Sequence, residues 1–182
     1  MPTPASAPPA HAVALDAHWA AKMDRLRVRA LPQKHLRICD DQTVKDAWTA
    51  ARHAAEQARE DAAEAPGDRQ LAAEAKRTAK ALEAARSAYD DASVILTFRA
   101  VPRPVLKALF DGHKPTEEQE AAGSEWNEET FPAALISAAS VDGMTVPEAQ
   151  ELIDTWSNAE ANALFAAAMS AQQEQRMDLG KD

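Results

Sequence analysis

A single cysteine, Cys39, is all the thiol chemistry in this 182-residue chain, and one thiol cannot close an intramolecular disulfide framework. It reads as a small buried apolar side chain in a reducing compartment. Aromatic residues are also scarce, at 5% of the chain, although 46% of it is apolar. Much of the apolar fraction is therefore alanine, which favours helix strongly and buries little area per residue. Many helices around a modest core are expected. No run approaches the ~18 apolar residues that suggest a membrane-spanning helix. The opening MPTPASAPPA has neither the basic start nor the apolar stretch of a secretion signal, so it reads as a disordered lead. Also missing are a glycine-rich phosphate loop, a nucleophile elbow and a zinc-protease helix. Neither an enzyme nor a cofactor is expected.

Positive charge is in deficit. The net charge is −9, which argues against a general affinity for nucleic acid, where binding is dominated by neutralising phosphates. Its distribution is polarised. Lys22, Arg25, Arg27, Arg29, Lys34 and Arg37 cluster near the start, whereas residues 111–182 hold 15 acidic and 3 basic side chains. The two ends are suited to attract each other or to meet partners of opposite charge, and a solvated surface accounts for the same pattern.

Apolar positions Trp19, Met23, Leu26 and Ala30 recur at spacings of three and four, which predicts a short helix over 16–30 ended by Leu31-Pro32. Weak alternation at 34–39, with Leu36 and Ile38 on one side, predicts a strand. Its mate is 94–100, where Val94, Leu96 and Phe98 alternate with Ile95, Thr97 and Arg99. Between them lie about fifty residues rich in Ala, Glu, Arg and Lys, broken only by Ala65-Pro66-Gly67-Asp68. This predicts a helical hairpin. One arm carries the stripe Val44, Trp48, Ala51, Ala55, Ala58 and Ala62, and the other carries Leu71, Ala75, Ala79, Leu82, Ala85 and Tyr89. Facing alanines allow close approach with little hydrophobic stabilisation. Such a hairpin either extends from the body as a marginal arm or is completed by another chain.

Beyond the second strand the helix starts are written in capping chemistry. A helix in PRPVLKALFDGH (102–113) precedes three capping boxes, Thr116 with Gln119, Thr145 with Glu148 and Ser157 with Glu160. Asn127 is a cap for the helix that contains Pro132. Four apolar faces result: Leu106, Leu109 and Phe110; Phe131, Leu135 and Ile136; Leu152, Ile153 and Trp156; Leu164, Phe165, Ala168 and Met169. They are expected to close on the sheet as one core.

Few residues remain for chemistry. His35 and Cys39, followed by Asp40 and Asp41, have a metal-ligand spacing on a helix, but a strand holds them ~13 Å apart. His113 follows a helix end, where an imidazole suits the C-terminal dipole. Trp126 lies in the polar loop GSEWNEE, either as a partner anchor or, the favoured reading, as a staple on the next helix. The candidate partner-contacting residues are Trp48, Leu71, Leu82, Tyr89 and Trp126.

The order of these parts resembles the tail assembly chaperones of long-tailed bacteriophages and prophages of high-GC Gram-positive bacteria. The resemblance rests on KHLRICDD (34–41), a charged helical hairpin, TFRAVPR (97–103), a histidine followed by PTEEQ (113–119), WNEETFPAALISAAS (126–140), TVPEAQELIDTWS (145–157) and ALFAAAMSAQ (163–172). It covers nearly the whole chain, and its most specific piece is Asn127 to Phe131 followed by ALISAAS. The resemblance implies a non-enzymatic protein that transiently binds the tape measure protein and aids assembly of tail tube subunits. It also implies partners that include a second copy or a frameshifted longer form, a site of action in the bacterial host cytoplasm, and absence from the mature virion. No membrane or nucleic-acid partner is implied. The alternative is a permanent virion component such as a head–tail connector or tail terminator. A third reading, a DNA-binding regulator with a basic N-terminal helix, conflicts with the net charge.

The expected fold is α+β and predominantly helical. Its parts are a disordered lead (1–12), an N-terminal helix and strand (13–40), the hairpin (41–91), a C-terminal helical module packed on the strands (92–175) and a flexible tail (176–182).

Overall fold

The computed structural model describes residues 10–175, with side chains from residue 18 onward. Its elements are α1 (Ala10–Arg27), β1 (Gln33–Ile38), α2 (Gln42–Glu64), α3 (Arg69–Asp91), β2 (Val94–Arg99), α4 (Arg103–Gly112), α5 (Glu117–Ala121), α6 (Phe131–Ala139), α7 (Val146–Thr155) and α8 (Asn158–Gln173). The fold is therefore α+β and mostly helical. Of the lead expected over 1–12, residues 1–9 lie outside the described residues and 10–12 belong to α1; the tail expected over 176–182 lies outside them as well. Helix α1 ends before the expected Ala30. Its last turn closes through bonds from the Val28 and Arg29 amides to the Asp24 and Leu26 carbonyls. Pro32 then biases the residue before it towards extended backbone.

The two strands pair antiparallel with Gln33 opposite Arg99 and Ile38 opposite Val94. This register puts Lys34, Leu36 and Ile38 on one face with Phe98, Leu96 and Val94, and leaves His35 and Arg37 with Thr97 and Ile95 on the other. The outer edge of β2 is covered by the chain after α6. The Val141 amide donates to the Thr97 carbonyl at 2.8 Å, and the Thr97 amide donates to the Asp142 carboxylate at 2.7 Å.

The hairpin consists of two helices of 23 residues, each about 35 Å long. Asp41 caps α2 by accepting from the Val44 amide, and Asp68 caps α3 by accepting from the Gln70 and Leu71 amides. Gly67 takes a left-handed conformation, with φ at 106°, to make the turn. The inner stripe departs from expectation at one position. Thr78 is half-buried and Ala79 is exposed, and the Thr78 hydroxyl bonds back to the Glu74 and Ala75 carbonyls. Among the described residues Ala58, 6% exposed, is the only buried one of the two helices.

All three capping boxes form, each with the side chain and the main chain satisfied reciprocally. Pro132 shifts the start of α6 to Phe131. Asn127 instead caps the turn that leads into it, accepting from the Glu129 and Thr130 amides. The four expected apolar faces meet in one core built on Phe98, Phe131, Leu135, Ile136 and Leu164, each with no exposed surface. Gln172 ties α8 to the core, accepting from the Val101 amide at 2.8 Å and donating to the Ala168 carbonyl at 3.0 Å.

Candidate functional site

Helices α2 and α3 pack on one another along their length, and among the described residues no other element packs along them. The hairpin meets the body at its base. There Arg37 of β1 forms an ion pair with Asp90 at 2.5 Å and lies over the Tyr89 ring at 5.2 Å. Tyr89 stacks on Trp48 with centroids 4.9 Å apart and planes within 7°, and Arg52 lies over Trp48 at 5.1 Å. Guanidinium, phenol, indole and guanidinium are thus layered at the root of the arm, an arrangement favoured by the negative faces of both rings. With alanine at most other stripe positions, these rings are the largest side chains on the arm's facing surfaces.

Two shallow depressions of about 450 Å³ each run up one side of the hairpin. The lower one is lined by Arg37, Trp48, Arg86, Tyr89 and Asp90, and the upper one by Ala55, Glu56, Arg59, Ala75 and Ala79. They share Arg52, Leu82 and Glu83. They form one groove reaching from Tyr89 to Ala75, roughly 21 Å at 1.5 Å per residue. Its apolar lining is Ala55, Ala75 and Ala79 above and Trp48, Leu82 and Tyr89 below, and its charged lining mixes arginine with glutamate and aspartate. An α-helix of about four turns matches that length. Alanines on the floor admit close approach, while the rim offers both signs of charge.

Three of the five sequence-derived candidates, Trp48, Leu82 and Tyr89, are brought together here. Leu71 is not. It sits in the first turn of α3, near the hairpin tip and about 27 Å along the helix from Tyr89. Trp126 is elsewhere again, in the C-terminal core, where its ring stacks on Phe131 at 5.2 Å and meets Phe110 and Phe165 at 6.1 and 6.0 Å. With Asn127 as cap, Trp126 precedes the cap and Phe131 follows it by four, the spacing of a hydrophobic staple. The arginines of the groove rim were the part that sequence reasoning missed. The available signal was Arg52 and Arg59 one and three turns beyond Trp48 on the same helix.

The remaining candidates have structural partners. His113 caps α4 with its main-chain amide, and its ring Nδ1 lies 2.9 Å from the Thr130 hydroxyl. His35 Nδ1 lies 3.1 Å from the Thr97 hydroxyl, and the buried Cys39 thiol faces the Asp41 carbonyl at 3.8 Å. Among the described residues no group of three or more His, Cys, Asp or Glu is placed to hold a metal ion. The shifted carboxylates lie outside the groove. Glu148 is lowered by the main-chain and then the side-chain donor of Thr145, Glu160 by the hydroxyl and then the amide of Ser157, and Asp111 by its bond to Lys107. These are helix-start and helix-face pairs.

Compared with protein-family models, curated proteins and solved structures, the chain matches none. Among the described residues no helix is long and apolar enough to cross a membrane.

Proposed function

We propose that this chain is a phage tail assembly chaperone, a non-enzymatic protein that binds helical segments of the tape measure protein transiently in the host cytoplasm and aids the recruitment of tail tube subunits. The observation that carries this reading is the α2–α3 arm. It carries a groove the length of a short helix, with Ala55, Ala75 and Ala79 in its upper half, and among the described residues no other element packs along it. A partner helix laid in the groove would complete a three-helix bundle and bury Trp48, Leu82 and Tyr89. Low apolar area and a mixed-charge rim suit a contact that must later be released. The order of sequence motifs supplies the identity of the partner.

The test is co-expression with the tape measure protein of the same genome. A tape measure protein that is insoluble alone becomes soluble and co-purifies with this chain. Ala79→Arg, which fills the groove from an exposed helical position, abolishes co-purification without changing the circular dichroism. A tape measure protein that stays insoluble, or a chain retained in purified virions, replaces this reading with that of a permanent virion component.

A further inference from the structure

Helix α1 is the one long element that no other described element packs along. Among the described residues it makes no substantial contact with any other helix or strand. It nevertheless presents Trp19 and Leu26, 58% and 50% exposed, on one face with Met23, at the i, i+4, i+7 spacing of an anchoring stripe. Lys22, Arg25 and Arg29 flank that stripe and line a depression with Leu26. No ion pair with a described residue engages these three bases, whereas Arg27 on the other flank is paired with Asp24 at 2.9 Å. A helix that exposes a tryptophan and a leucine beside Lys22 and Arg25, with Arg29 just past its end, is built for an apolar seat with an acidic rim.

The chain itself carries such a seat. A groove of about 370 Å³ at the start of α7 is lined by Met144 and Leu152, with Asp142, Glu148 and Glu151 around them. Val146 stands 47% exposed in the same turn. The Glu148 carboxylate is held anionic by Thr145 and the Asp142 carboxylate is fixed by the Thr97 amide, so two of the three charges are set in place by the fold. Three carboxylates face three bases. We propose that α1 is an exchanged arm that docks in the α7 groove of a second copy of this chain, each copy giving and receiving one arm. Reciprocal exchange closes a twofold dimer with two equivalent contacts. The proposal does not depend on the tail-assembly reading.

Arg25 and Glu151, two exposed side chains that form no hydrogen bond or ion pair with a described residue, make the test specific to exchange. Sedimentation of the full chain at about 100 µM and low salt should give a dimer that weakens with added salt. Arg25→Glu alone and Glu151→Arg alone should each weaken association tenfold or more, because both contacts of each homodimer then oppose like charges. An equimolar mixture of the two variants should recover the dimer. In the mixed pair one contact is charge-swapped and the other is wild type, so both are attractive. Circular dichroism and melting temperature of each variant should match the wild type. A monomeric wild-type chain overturns the proposal, as do variants that still dimerise. A mixture that stays monomeric also overturns it, since an arm docked on its own chain cannot be rescued by mixing.

Discussion

Lys80→Pro tests whether the hairpin folds as a unit apart from the body. Lys80 is exposed at the middle of α3, so the substitution acts on the backbone alone. Proline removes the amide donor to the carbonyl four residues back and clashes with it, costing ~3 kcal/mol or more in a helix interior. Little opposes that cost. Ala58 is the only buried residue that the two helices contribute among the described residues, whereas the body buries Phe98, Phe131, Leu135, Ile136 and Leu164 with no exposed surface. The aromatic stack at the root of the arm adds about 0.5–1.5 kcal/mol beyond area burial. The hairpin should therefore open while the body stays closed. Followed by hydrogen exchange with mass spectrometry, amides within 42–91 should exchange about 100-fold faster in the variant, the factor that ~3 kcal/mol implies. Amides of α6 and α8 should keep wild-type protection, and Lys80→Ala should change neither region. Equal loss of protection in α6 and α8 would refute the reasoning, because it would make arm and body one cooperative unit.

Phe131→Ala removes the ring at the centre of a cluster formed with Phe110, Trp126 and Phe165, at centroid distances of 4.8, 5.2 and 6.2 Å. It should destabilise the body by ~3–5 kcal/mol in urea denaturation, and a loss below ~1 kcal/mol would mean that the cluster is not the core. A double-mutant cycle on Trp48→Ala and Tyr89→Ala, read from hairpin exchange, should give a coupling of about 0.5–1.5 kcal/mol; additive effects would place the rings apart in solution. Acid should weaken the body through the caps of α7 and α8. The folded pKa values of Glu148 and Glu160 lie below the ordinary glutamate range, so their contribution is complete above that range and disappears as pH falls through the lowered values. The double variant Glu148→Gln, Glu160→Gln should show a shallower fall of melting temperature across that window, and a fall as steep as wild type would assign the acid sensitivity to other groups.

What the sequence determined by itself is the local punctuation. Thr116, Thr145 and Ser157 each satisfy an amide three residues on, so the spacing that is written is the spacing that bonds. The same holds for the Pro66-Gly67-Asp68 turn and for the alternation in 94–99, since a strand's faces follow from a period of two. Even the staple of Trp126 on Phe131 spans only five residues. Half of the candidate site was legible in the same way, because Trp48, Leu82 and Tyr89 announce themselves as large residues on alanine faces.

Tertiary structure alone decided how these pieces meet. The pairing of Gln33 with Arg99 joins residues separated by the whole hairpin, and Val141 and Asp142 cover the edge of β2 from beyond three further helices. Nothing local encodes such separations. Whether Thr78 or Ala79 faces α2 depends on the rotation of one helix about the other, which a stripe of small side chains constrains weakly. The layering of Arg37 on Tyr89 and Arg52 on Trp48 needs β1, α2 and α3 in place together. The isolation of α1 is likewise invisible in its own sequence, because a helix reads the same whether or not anything packs against it. Caps and turns are short-range and fixed by covalent spacing; partners, edges and grooves are relations between distant segments and exist only once the chain has closed on itself.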